Sequence, residues 1–256
     1  MKQFIFTLLA LYFCPAASAQ LKGEVIYERI LTFNEAAKPT FLLYFNPGQS
    51  VFSEQNAPPA EQRVQHSGAE EGGTLEFKVR LGSGEPYAVF TDFSKKQLVS
   101  RITGSGNKTV LVNEGLPEMV WQVEEDQKTI GRFSCRKARG HFRGRAYTAW
   151  FTSDIPIKMG PWKFNGLPGL ILEIYDDKGE VYFGARSVRV PSDFPEKVLE
   201  VQNKGYRTLS LNEYIRERED QVNEVLTAIQ SKLPRGSAVS FSQQSVNAIE
   251  TEFEKD

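Results

Sequence analysis

The chain has 256 residues, of which 40% are hydrophobic and 25% are charged, and its formal net charge is -1. This composition is typical of a globular protein, and it excludes a fibrous or a largely disordered chain. A net charge this close to zero favours neither nucleic acid nor an anionic membrane surface as a partner.

The first predicted element is a secretory signal peptide over residues 1–19. Lys2 precedes an apolar run at 4–13, and small residues at 17–19 form a cleavage pattern, so we expect a mature chain that begins at Gln20. The apolar run is shorter than the ~20 residues that a membrane-spanning helix needs. The sequence therefore predicts an exported protein of the periplasm or cell envelope, with no transmembrane segment after signal removal.

Short segments with alternating apolar and polar residues follow, as in half-buried β-strands. In the clearest, TLEFKVRL, every second residue from Leu75 to Leu81 is apolar. Because closely spaced Gly-, Asn- and Asp-rich turns separate the segments, antiparallel pairing is favoured. The predicted strands lie near residues 23–32, 40–46, 49–54, 75–81, 86–92, 96–102, 108–113, 119–125, 129–138, 144–152, 169–176 and 180–190.

These strands predict a mainly β fold with a single domain over residues 20–256, built on one strongly curved antiparallel sheet. A two-sheet β-sandwich is the alternative. Residues 55–73 have no aromatic side chain, and Val64 is their only large aliphatic residue, which predicts a mobile loop.

One long helix is predicted over residues 211–233, where apolar residues recur at helical spacing. Ser210 and Glu213 form a capping-box pattern at its start, and Pro234 lies just past its end. We expect the apolar stripe of this helix to pack on the sheet.

The stretch KFNGLPGLILEIYD contains a Leu-Pro pair between two glycines. Pro168 suits the second position of a type II turn, and Gly169 would then take the positive φ that the next position requires. A phosphate-binding loop would instead open a helix, whereas the residues after Gly169 read as a buried strand. We therefore interpret the motif as a structural turn formed by Gly166, Leu167, Pro168, Gly169, Leu170 and Ile171.

A basic stretch runs from Lys128 to Arg145, and aromatic residues interleave with it or follow it. Arginine offers a planar fork to phosphate or carboxylate groups, so this region is the predicted binding surface. Its residues are Arg143, Arg145, Trp150, Trp162 and Lys163. Two alternatives remain open. The basic residues can form a solvated strand face whose charge nearby carboxylates balance. The tryptophans can be buried side chains that fill the core.

Catalytic and metal sites find little support in the sequence. Cys135 and His141 suggest a thiol nucleophile, but a free cysteine in a strand pattern is typically a small buried hydrophobe. The only histidines are His66 and His141, which cannot form a multi-histidine metal site. The carboxylates of EIYDD have no recognisable partner motif. We predict no catalytic residue, no metal and no cofactor.

Residues 131–176 strongly resemble the GLPGLI family of exported proteins of Gram-negative bacteria. The name-giving motif stands at Gly166–Ile171, and FRGR, AWFT, DIPI, GPWKF and the C-terminal NAIETEF agree with the family pattern. The resemblance implies an envelope location and supplies no activity. By analogy, a curved sheet with a helix against it is similar to the half-barrel of periplasmic lipoprotein carriers.

As the function we expect non-enzymatic binding of a hydrophobic or anionic ligand, such as a lipid. The alternatives are an accessory partner of an outer-membrane assembly and a hydrolase without a familiar motif. A carrier predicts an apolar cavity between sheet and helix, and a partner protein predicts an exposed aromatic patch. A hydrolase predicts converging carboxylates, or an accessible Cys135 beside His141.

Overall fold

A computed structural model describes six parts of the chain: residues 21–32, 39–55, 63–67, 76–80, 85–230 and 249–253. The predicted signal peptide lies outside them. The strands are β1 (Gly23–Leu31), β2 (Thr40–Phe45), β3 (Gln49–Glu54), β4 (Arg63–Ser67), β5 (Glu76–Arg80), β6 (Ala88–Asp92), β7 (Gln97–Thr103), β8 (Thr109–Gly115), β9 (Trp121–Ile130), β10 (Phe133–Phe142), β11 (Arg145–Thr152), β12 (Leu170–Asp176), β13 (Val181–Arg189) and β14 (Arg207–Ser210).

Twelve of these strands form one open sheet in the order β14-β8-β7-β6-β3-β2-β1-β13-β12-β11-β10-β9. Most neighbours are joined by short links and pair antiparallel, which confirms the mainly β, antiparallel-rich prediction. β14 and β8 pair in parallel, and the chain reaches this edge of the sheet from the interior strand β13 through residues 190–206. Neither a closed barrel nor a two-sheet sandwich is seen in the described parts of the chain.

Two details of the strand prediction are wrong. The hairpin between β9 and β10 turns at Gly131, which has a φ of 59°, so Thr129 and Ile130 belong to β9. Within the segment predicted as a loop, Arg63–Ser67 forms β4 and pairs with β5 in a separate two-stranded sheet. The rest of residues 56–75 lies outside the described residues.

The main core lies where side chains from the central strands meet. Tyr27 of β1 is fully buried, and its hydroxyl donates a hydrogen bond to the carbonyl oxygen of Ile171 at 2.5 Å. Phe41 and Phe52 stack with ring centroids 4.7 Å apart, and Phe52 meets Phe183 edge to face at 6.0 Å. The Tyr27–Ile171 and Phe52–Phe183 contacts join strands that are not neighbours in the sheet.

The two halves of the sheet approach each other. Eight strands lie between β8 and β10, and neighbouring strands are about 4.8 Å apart, so a flat sheet would hold β8 and β10 far apart. Yet Arg143, directly after β10, has its Nη2 atom 3.1 Å from Oε2 of Glu114 in β8. The sheet is therefore not flat, and its two halves together bring distant parts of the sequence to one buried site.

Among the described residues there is one α-helix, α1 (Leu211–Gln230), and it begins at the predicted residue. Its capping box is formed: the Ser210 backbone N–H donates to Glu213 Oε2 at 2.7 Å, and the Glu213 N–H donates to Ser210 Oγ at 3.2 Å. Tyr214 is buried against Val110, Val112 and Leu209 at the β8–β14 edge. Residues 231–233 lie outside the described residues. In the part of the chain that the structure describes, no helix has the length and apolarity needed to cross a membrane.

Candidate functional site

The GLPGLI motif belongs to the core. The prediction of a positive φ at Gly169 is wrong, because the positive φ falls at Gly166, at 95°. Gly169 is needed for a different reason: a Cβ there would lie 2.2 Å from the carbonyl oxygen of Thr152. This glycine therefore allows two backbone segments to approach closely, while Leu170 and Ile171, which are both fully buried, start strand β12.

The motif lies at the end of a loop that fills the core. We call residues 153–169, between β11 and β12, the motif loop. It is tied to β12 by backbone hydrogen bonds from Leu170 to Ile155 at 3.1 Å and from Ile171 to Met159 at 3.0 Å. Six large apolar side chains of the loop are buried, namely Ile155, Ile157, Met159, Trp162, Phe164 and Leu167.

Both predicted tryptophans are buried. Trp162, in the motif loop, donates from Nε1 to the hydroxyl of Tyr87 at 2.9 Å and meets Phe142 and Phe164 edge to face. Trp150 of β11 is 9% exposed, with the ammonium of Lys128 4.4 Å from its ring centroid. The structure thus places these rings in the core.

Arg143 and Lys163 meet two glutamates that the sequence analysis did not select. We call Glu114, Arg143, Lys163 and Glu250 the charged cluster. Lys163 Nζ pairs with Glu114 and lies 2.9 Å from Glu250 Oε1, while Arg143 Nε lies 3.5 Å from that same oxygen. All four side chains are at most 7% exposed. The two positive and two negative charges balance inside the protein.

Burial sets the electrostatics of this cluster. Desolvation raises the pKa of Glu114, and Lys163 beside it opposes the rise. Burial likewise raises the pKa of Tyr87, which accepts the hydrogen bond of Trp162. Sequence reasoning could not find Glu114 and Glu250, because they lie far from the basic stretch in the sequence.

Arg145 is also buried and paired, at a separate position. Its Nη1 atom lies 2.6 Å from Asp176 Oδ2 and 2.6 Å from Glu180 Oε2. Asp176 also accepts backbone hydrogen bonds from Glu180 at 2.7 Å and from Val181 at 2.9 Å. This ion pair joins the β12–β13 turn to β11, and it engages Asp176, the first aspartate of the EIYDD sequence.

Cys135 is inaccessible. Its side chain is fully buried in β10, and burial raises the pKa of the thiol to about 11. His141 in the same strand is exposed. Within the described ranges, no three His, Cys, Asp or Glu side chains form a group that could hold a metal ion.

An apolar depression of about 340 Å³ lies beside the motif loop. It is lined by Leu21, Pro47, Phe93, Pro156, Ile157, Lys158 and Met159. Lys158 and Pro156 are exposed, whereas Ile157 and Met159 are buried and form part of the core. None of the lining residues comes from α1, so the depression is not the cavity between sheet and helix that a carrier predicts. The IPIKM pattern, with a lysine among apolar residues, is the signal that could have marked this site.

One comparison with known proteins, the match to a family model, concerns the same region. A family model described as "Protein of unknown function (Porph_ging)" matches residues 143–173, which span β11 and the motif loop. This short match is consistent with an envelope-protein family. The comparison with curated proteins finds no match.

Solved structures with a similar fold are those of PNGF-II. One, in the P21 space group, has a TM-score of 0.53 and 13% identity, covering 80% of this chain and 34% of PNGF-II. Another, in the C2 space group, has a TM-score of 0.50 and 12% identity, covering 88% of this chain and 37% of PNGF-II. The chain thus spans about a third of the length of PNGF-II, and the likeness concerns the fold alone.

Proposed function

We propose that this chain is an exported envelope protein that binds a small amphipathic molecule without catalysis. The observation that carries the proposal is the apolar depression beside the motif loop, with Lys158 in its lining. Its apolar side chains suit an acyl chain or a ring system, and the lysine suits an anionic group on the same molecule. The bound molecule would be a fatty acid or a similar small amphipathic anion.

The size and lining of the depression support this class of ligand. Small-molecule sites typically have about 300 to 1,000 Å³ and combine an apolar lining with few polar groups. The depression, at about 340 Å³, is near the lower end of that range. Among the described residues, Lys158 forms no ion pair, so its ammonium is available to a ligand.

The residues first predicted to bind are less suited to an anion. Arg143 and Lys163 each pair with Glu114 and Glu250, and Arg145 pairs with Asp176. An anionic ligand would have to displace a buried carboxylate from any of them, which costs more than pairing with a free surface lysine. The proposed site therefore lies at Lys158, which shares the motif loop with Lys163.

A curved, half-barrel form of the sheet, similar to that of lipoprotein carriers, is part of the proposal. The contact between β8 and the β10–β11 turn supports it, since a flat sheet would hold them apart. Export through the predicted signal peptide would place the protein where envelope lipids and their fragments are present. Fold likeness alone does not name the ligand.

Displacement of the fluorescent anion 1-anilinonaphthalene-8-sulfonate tests the proposal. Dodecanoate should displace the dye at lower concentration than dodecyltrimethylammonium, because the charge beside Lys158 is positive. Lys158→Glu should weaken dodecanoate binding about fivefold, as expected for one partly exposed ion pair. Lys178→Glu, an exposed lysine in the β12–β13 turn, is the matched control and should bind as the unaltered protein does. Equal displacement by the anion and the cation would overturn the proposal.

The two alternative functions have weaker support. The exposed large hydrophobic residues of the described chain are valines, Val120, Val123 and Val201, so the aromatic patch of a partner protein is not among these residues. The edge strand β9 carries charged residues, which typically protect an edge from pairing. For a hydrolase, the converging carboxylates Glu114 and Glu250 are buried and neutralised, and Cys135 is inaccessible.

A further inference from the structure

We infer that residues 249–253 are a peptide ligand held in cis, and that the face around Arg143 and Lys163 is a binding site for an acidic peptide. This inference does not depend on the proposed function, because the site lies at the charged cluster. Its ligand class is a short peptide in which a glutamate follows an aliphatic residue, as Ile249-Glu250 does.

The contacts of this segment are those of a docked peptide. Residues 249–253 form neither strand nor helix. Ile249 is a buried apolar anchor, and the hydroxyl of Tyr147 donates to its carbonyl oxygen at 3.4 Å. Glu250 places its carboxylate between Lys163 and Arg143. A few buried anchors and desolvated charge pairs carry most of the binding energy of an interface, and this segment has one of each.

The turn between β10 and β11 presents its backbone to the segment. Arg143 has a φ of 49°, and its carbonyl oxygen accepts from the backbone N–H of Thr251 at 3.0 Å and from the Thr251 hydroxyl at 3.1 Å. The next residue, Gly144, leaves room for the ligand, since a Cβ there would lie 2.2 Å from Thr251 Oγ1 and 2.9 Å from Cγ of Glu252. The receptor thus matches the segment in shape and in hydrogen bonding.

Charge complementarity selects an acidic ligand. Without Glu250, the remaining charged cluster holds two cations, Arg143 and Lys163, and one carboxylate, Glu114. A buried cation without a partner is costly, so the site needs one more carboxylate. The receptor residues come from β8, the β10–β11 turn and the motif loop, all of which precede the segment in the chain.

The tether explains why the chain's own segment occupies the site. Residues 231–248 join α1 to the segment, so the segment is present at a high effective concentration. A free peptide must compete with it. Cutting the tether after folding removes this advantage and leaves the site intact.

The experiment uses the full chain with a protease recognition sequence inserted between Ser242 and Gln243, cut after folding. A fluorescent peptide of residues 247–256 should exchange into the cut protein, and its affinity for uncut protein should be at least about tenfold weaker. Glu250→Gln in the peptide should weaken binding by about tenfold or more, because it removes the charge that Lys163 and Arg143 share. Glu252→Gln is the control, since the Glu252 side chain is exposed, and it should change the affinity by less than about twofold.

Circular dichroism before and after cutting shows whether the rest of the protein remains folded, as the inference requires. Unfolding on cutting would mean that the segment is an integral part of the fold, and the inference would be wrong. Failure of the peptide to exchange would overturn it as well, as would equal binding of the Glu250→Gln peptide.

Discussion

Lys163 and Glu250, separated by 87 positions in the sequence, form a buried ion pair with 2.9 Å between Nζ and Oε1. Removing one partner of such a pair leaves an uncompensated charge in the interior. Lys163→Met should therefore lower the free energy of unfolding by about 3 to 5 kcal/mol, measured by urea denaturation. Lys178→Met, at an exposed turn, should stay within about 0.5 kcal/mol. A loss below about 1 kcal/mol for Lys163→Met would contradict the cluster as described.

Glu114 makes the stability of the folded protein depend on pH, and the direction of this dependence follows from its raised pKa. Because burial raises the pKa of Glu114 in the folded state, the folded protein binds more protons than the unfolded one above the ordinary pKa of 4.5. The contribution of Glu114 to stability is thus fully present below that pKa and is lost as pH rises through the raised value. The difference in unfolding free energy between the unaltered protein and Glu114→Gln should fall as pH rises from 4.5.

The contribution of Asp92 to stability should change with pH in the opposite direction to that of Glu114. Hydrogen bonds, the largest from the Ser94 hydroxyl, lower the pKa of Asp92 below its ordinary value of 3.8. The contribution of Asp92 to stability is present above pH 3.8 and is lost as pH falls through the lowered pKa. The difference between the unaltered protein and Asp92→Asn should therefore shrink on acidification through this range. If the difference in unfolding free energy changed with pH in the same way for Glu114→Gln and Asp92→Asn, the environments assigned to Glu114 and Asp92 would be incorrect.

Gly169 should not tolerate a side chain. The added Cβ of Gly169→Ala would lie 2.2 Å from the Thr152 carbonyl oxygen, which is backbone and cannot move aside cheaply. We expect a loss of about 1 to 3 kcal/mol in unfolding free energy, as for an overpacked core. Gly115→Ala is the control, because nothing lies within 4 Å of its Cβ position, and its stability should hardly change. Similar stabilities for the two variants would refute the close-approach role of Gly169.

Most strands could be predicted from local patterns, whereas the charged cluster could not. Alternation of apolar and polar residues placed strands such as β1 and β7 within a residue or two. β14 has four residues and pairs across a long connection, so its short pattern carries little signal. The burial of Arg143 depends on Glu114 and Glu250, which only the tertiary fold brings near. A basic stretch in a sequence therefore does not reveal whether its cations face solvent or carboxylates.

Cys135 should resist alkylation in the folded protein. Its thiol is fully buried and has a pKa raised to about 11, so little thiolate is accessible at pH near 8. Iodoacetamide labelling followed by mass spectrometry should show modification only after unfolding. In a Cys135→Ser, Ser134→Cys variant the thiol stands on the exposed face of the same strand and should react readily. Rapid labelling of native Cys135 would reopen the thiol-nucleophile hypothesis.

Binding of an amphipathic anion beside Lys158 is tested most directly by native mass spectrometry of protein purified gently, without detergent, from the envelope fraction. We expect the unaltered protein and Lys178→Glu to retain a small amphipathic molecule, which dodecanoate displaces, and Lys158→Glu to retain less of it. Retention of nothing by the unaltered protein, even after dodecanoate is added, or equal retention by Lys158→Glu, would contradict the proposed function.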